Sequence, residues 1–189
     1  DHRDGGLLHD LRAGAAEQRL TTDGMLVIAY MFLWFQDPLG NLFSTQLYYS
    51  SYWFNMGSWT LGSFPGWISP AGNHLPEPML VMGFGYLWCG FTPAVIACKT
   101  MQWMKQRFPR ASNLELILVA LVVGMVLDIA TEMTLILTGT FAWAGTIPYV
   151  TLFAGEPYQF PMTEGVLFGA TIASGGVLRY FRDDRGATF

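Results

Sequence analysis

From residue 20 to residue 98 the chain carries no lysine or arginine, and from 111 to 178 it again carries none. The basic residues fall in three clusters: Arg3, Arg12 and Arg19; Lys99, Lys105, Arg107 and Arg110; and Arg179, Arg182 and Arg185. A domain surrounded by water places charge on its exposed helix faces and loops, so cation-free stretches of this length point to a bilayer. Only 13% of the 189 residues are charged while 52% are apolar, about half the usual charged share. A net charge of −4 excludes nucleic acid as a partner, because backbone binding needs a basic surface. The apolar load excludes extended disorder. Two cysteines exclude a disulfide scaffold and a four-cysteine metal site.

Four apolar runs lie between the basic clusters. The expected class is an all-α, multi-pass transmembrane bundle with spans at about 24–43, 78–98, 114–139 and 160–178, since a spanning helix needs about 20 residues. The first run is short before Gln36-Asp37-Pro38, where a broken or re-entrant helix fits if protein covers it. Residues 1–23 read as a polar cytoplasmic loop or tail with Thr22 or Asp23 capping the first helix, and 179–189 as a cytoplasmic tail. The 99–113 link is basic while 37–77 and 140–159 are not, which predicts an inner (plasma) membrane protein with both ends cytoplasmic. Trp143, Tyr149 and Tyr158 suit an interfacial position. The chain opens without Met, so upstream sequence is expected.

The long outer loop, residues 44–77, is rich in aromatic residues, Gly, Ser and Asn. Loops of this length without regular structure usually form a lid or binding surface. Its aromatics, with Tyr52, Trp59 and Trp67 among them, are candidates for lining a hydrophobic or amphipathic substrate site or for anchoring at the lipid interface.

The carboxylates inside the runs are the sharpest functional signal, because intramembrane ionisable groups are expensive. Asp128 and Glu132 are four apart and share a helix face. Two acids on one apolar face do not both ionise, so one keeps its proton and a general acid stands beside a possible base. Glu164 and Asp37 are placed by topology on the same outer side. Helix–helix polar contacts and ion or proton conduction are the competing readings of these acids. His74, the lone histidine outside the N-terminal segment, is a further candidate for the substrate site, as a base or a ligand, while no HxxxH or histidine cluster supports a metal. Cys89 and Cys98 read as core residues, and "GATIASGG" as small-residue helix packing. No phosphate-loop or nucleophile-elbow motif is present, and no cofactor is expected.

The blocks "LTTDGMLVIAYMFLWFQDPLGNLF", "FNMGSWTLGSFPGW", "NHLPEPML", "TLFAGEPYQFP" and "LRYFRDD" follow one another from Leu20 to Arg185. In this order they resemble the bacterial AveC-like spirocyclase family of multi-pass membrane proteins. The resemblance implies a cofactor-independent cyclase that closes a hydroxy-ketone, polyketide-like or lipid-like, into a spiroketal or dehydrates it. Asp128, Glu132, Glu164 and Asp37 would then supply acid and base, and Asn41, Asn55, Tyr158 and Gln159 would orient hydroxyls. Three other classes stay open: a terpene cyclase-like enzyme protonating an isoprenoid, a non-enzymatic membrane subunit or lipid-binding protein, and a transporter.

Overall fold

The computed structural model describes residues 20–34, 36, 46–50, 52 and 84–182. Helix α1, Thr22–Leu33, is capped by Thr21, whose Oγ1 accepts from the Gly24 amide at 3.2 Å. The cap therefore precedes both residues that the sequence suggested. A π-helical segment, Leu87–Phe91, runs directly into α2, Thr92–Arg107. Pro93 supplies the reason. It has no N–H to give the carbonyl four residues back, and its ring crowds that carbonyl. The wider turn relieves the clash, and Thr92 directs both its amide and its Oγ1 to the Leu87 carbonyl instead.

Helix α3, Asn113–Leu137, starts on a reciprocal cap. The Ser112 amide donates to Glu115 Oε2 at 2.6 Å, and the Glu115 amide donates back to Ser112 Oγ at 3.3 Å. It ends at Gly139, whose φ of +73° allows Thr140 N–H to reach the Leu135 carbonyl at 2.9 Å. Helix α4 spans Met162–Tyr180. Strands β1, Leu47–Tyr49, and β2, Phe141–Trp143, pair antiparallel with Leu47 opposite Trp143. A 3-10 turn, Pro148–Val150, leads into a smaller ladder, β3, Thr151–Leu152, against β4, Phe160–Pro161.

Helix α4 is the centre of the packing. It meets α3 where two glycines face each other: a Cβ at Gly124 would collide with the Gly169 carbonyl, and one at Gly169 would lie 2.8 Å from Met125 Cα. It meets α2 at Gly176, where a Cβ would stand 2.9 Å from the Ala97 Cβ. Tyr30 ties α1 to α4 by donating its hydroxyl to the Thr171 carbonyl at 2.9 Å, and burial drives its pKa far above the usual phenol value. The small residues of "GATIASGG" thus serve close helix packing.

The multi-pass all-α bundle is corrected. Among the described residues, α3 alone is long and apolar enough to cross a membrane, by length and composition. The first helix has 12 residues where the sequence suggested about 20. Lys99, Lys105 and Arg107 ride on α2 itself rather than on a loop, so the helical run that opens at Leu87 carries three cations. Helix α4 has the length, but Glu164, Thr171, Ser174 and its glycines dilute its apolar content. The 140–159 link is not a plain loop, because it supplies strands to both antiparallel ladders. The multi-pass inner-membrane placement loses its basis with the bundle. What remains is an apolar outer face on α3, with Leu114, Leu118, Val122 and Val126 exposed.

Candidate functional site

Every fourth residue of α3 from Leu116 turns inward: Leu116, Ala120, Gly124, Asp128 and Ile136 are buried, and Glu132 occupies the intervening place half-buried. The run is apolar or small until it reaches its two acids. The Gly124–Gly169 contact lets the helix backbones approach closely just one turn before Asp128. Asp128 is consequently 2% exposed. A Cβ at Gly165 would sit 3.3 Å from Ile129, so α3 and α4 run antiparallel in a fixed register. That register sets Glu164, in the first turn of α4, at a level between Asp128 and Glu132.

The electrostatics follow from this placement. Burial, and secondarily the charge of Glu164, raise the Asp128 pKa to about 8. Among the described residues, Asp128 Oδ2 is buried with no hydrogen-bond partner. Asp128 therefore holds a proton at neutral pH and has an oxygen available to present it. Glu164 stands at a helix N-terminus, where the aligned peptide dipoles favour negative charge. Glu132 accepts a hydrogen bond at 3.3 Å on Oε2 from the indole N–H of Trp143. An apolar wall closes this end of the crossing: Leu47, Ile136, Phe141 and the fully buried Phe160 pack together, with Ile129 and Met162 against them.

Gln159 is held by other protein groups. Its Nε2 donates to the Trp143 carbonyl at 2.9 Å, and its Oε1 accepts from Thr146 Oγ1 at 3.0 Å and from the Gly155 amide at 3.1 Å. Tyr158 is partly exposed, its ring edge-on to Phe153 at 5.3 Å. Tyr52 is fully exposed. Asp37, Asn41, Asn55, Trp59, Trp67 and His74 lie outside the described residues. Of the residues that the sequence singled out, the structure brings Asp128, Glu132 and Glu164 to one crossing.

Sequence reasoning missed Trp143 as a member of the site and took it for an interfacial aromatic. The hydrogen bond depends on the chain reversing at Gly139, and only that glycine, just past an apolar helix, hinted at it. Among the described residues no group of three or more His, Cys, Asp or Glu side chains is placed to hold a metal ion.

The sequence model of the family described as Spirocyclase AveC-like matches residues 17–189. No curated protein and no solved structure matches the chain.

Proposed function

Because the chain belongs to the AveC-like spirocyclase family, a cyclase family, we propose that it closes a hydroxy-ketone by acid–base catalysis at the crossing of α3 and α4. The observation that carries this reading is Asp128: a buried carboxyl, protonated at neutral pH, with a second carboxylate on the same helix face. A general acid beside a base is what such a ring closure requires. In the first step a substrate hydroxyl attacks the ketone carbon and loses its proton to a carboxylate. The carbonyl electron pair moves to oxygen, which takes the proton from Asp128. The hemiketal hydroxyl is then protonated by the carboxyl that took the first proton and leaves as water. A second hydroxyl adds to the resulting oxocarbenium carbon and gives up its proton to Asp128, which restores the starting state. Atoms balance with one water released and no change in oxidation state, so the chemistry calls for no redox cofactor. The apolar wall of Leu47, Ile136, Phe141 and Phe160 suits a polyketide-like or lipid-like carbon chain beside the reacting oxygens.

The test is incubation of the purified protein with dihydroxy-ketones of graded chain length, followed by mass spectrometry for loss of one water. The wild type is expected to form the spiroketal and Asp128→Asn to lose about 100-fold or more in rate. Unchanged turnover by a well-folded Asp128→Asn protein would remove this residue from the chemistry.

A further inference from the structure

We propose that Trp143 is the positioning residue that makes Glu132 the proton acceptor of the α3 carboxyl pair, leaving Asp128 as its donor. This assignment rests on the acid–base reading above and divides the roles within it.

An indole N–H can only donate. The Glu132 oxygen facing Trp143 at 3.3 Å must therefore be a bare acceptor. A donor aimed at a carboxylate favours its charged form. Asp128, one turn earlier on the same face, has a buried oxygen that no donor among the described residues reaches. When two neighbouring carboxyls share limited charge, the proton settles on the one without a donor. The titratable groups brought to this place among the described residues are Asp128 on α3 itself and Glu164 on α4, with Tyr49 contributed by β1 and the neutral indole by β2. Glu164 opposes negative charge on both of its neighbours, and the indole contact is what sets Glu132 apart from Asp128.

The indole is held from three sides. Its backbone pairs with Leu47 across the β1–β2 ladder. Its carbonyl is gripped by Gln159, whose own oxygen is taken by Thr146 and Gly155. Its ring stands edge-on to Phe141 at 6.2 Å. Such bracing fixes the direction of the N–H and serves orientation better than it serves general packing.

The first measurement needs no substitution at Trp143. In the full-length wild type, the 1H–15N signal of the Trp143 indole is followed with pH and compared with Glu132→Gln. The expected result is an indole shift that titrates in the wild type and is flat in Glu132→Gln. An indole signal indifferent to pH, or one that titrates equally in both, overturns the proposal. The second measurement is the pH–rate profile of Trp143→Phe on a hydroxy-ketone that the wild type cyclises. The acidic limb is expected to move up by about one pH unit, a tenfold loss of kcat on that limb with KM held. A purely structural role would lower the rate at every pH and leave the limb in place, which also overturns the proposal. If the wild type cyclises none of the ketones, the cyclase reading fails, and the indole titration still decides the role of Trp143.

Discussion

The two ends of α4 hold opposite kinds of buried polar group. At its last turn Arg179 grips Asp23 of α1, Nε to Oδ1 at 2.9 Å and Nη2 to Oδ2 at 3.3 Å, with Arg182 Nη1 3.5 Å from the same carboxylate. Asp23 is fully buried, and the Arg179 Nη1 left over reaches the Cys98 thiol at 3.6 Å. Burial pushes that thiol up, so it stays protonated. Each charge also suits its helix, the acid in the first turn of α1 and the arginine in the last turn of α4. At the first turn, about 22 Å away along the axis, Glu164 instead faces the buried Asp128. One end closes opposite charges on each other, and the other sets two acids together, one of which keeps its proton and has an oxygen left over. Paired charge holds helices in place. A buried acid without a full set of partners raises free energy and persists where it is used.

The largest expected effect breaks the paired end. Asp23→Ala should lower unfolding free energy by about 3–5 kcal/mol, because it strands buried guanidinium charge. Denaturant unfolding measures this. A loss below about 1 kcal/mol would mean that the pair is screened as a surface ion pair is, and the contrast between the two ends would fall.

Asp128→Asn should act in the other direction on stability. The folded carboxyl has its pKa near 8 against an ordinary value of 3.8. Between those pH values the native state holds a proton that the unfolded state has released, so wild-type stability falls as pH rises from about 4 to about 8. The slope contributed is at most about 1.4 kcal/mol per pH unit. Asn carries no such proton, so the variant should show a flatter profile and be the more stable protein at pH 8–9 while losing turnover. Parallel unfolding curves for both proteins across pH 5–9 would show that Asp128 is not a strained group.

These two residues also show what the sequence could reveal. Asp128 and Glu132 were legible because their relation is local: four residues apart means one helix face. Glu164 was legible because it opens an apolar run. The Asp23–Arg179 pair was not, since 156 residues separate its members and Asp23 looked like an ordinary cap. The β1–β2 ladder was hidden for the same reason. Three-residue strands carry almost no periodicity, and Leu47 finds Trp143 only after α3 and the Gly139 turn have formed. Basic residues mark one end of the helices, but their clustering predicts a loop where Lys99, Lys105 and Arg107 belong to α2.

A smaller effect separates the geometry of the site from its charge. Gly169→Ala places a methyl 2.8 Å from the Met125 backbone and should cost about 1–3 kcal/mol through overpacking. Because the α3–α4 spacing opens beside Asp128, water should enter and the pH slope of stability should shrink with it. Arg179 lies about three turns away on the same helix, so the paired end should keep its bonds. Equal disturbance at both ends, seen by hydrogen exchange at Asp23 and Asp128, would show that α4 moves as one rigid rod.

The smallest expected effect falls at the turn that delivers Trp143. A side chain at Gly139 would meet nothing within 4 Å, so substitution there tests the backbone alone. Its φ of +73° is left-handed, and Gly139→Ala should cost about 1 kcal/mol. Asn tolerates that conformation better than Ala does, so Gly139→Asn should recover part of the loss at unchanged volume and polarity of the surroundings. If the turn aims the indole at Glu132, the Trp143 indole signal should shift in Gly139→Ala and return towards its wild-type position in Gly139→Asn. A stability loss with the indole signal unmoved in both would make the turn a helix stop only, and the acid end would owe its order to Gln159 and the β1–β2 ladder instead.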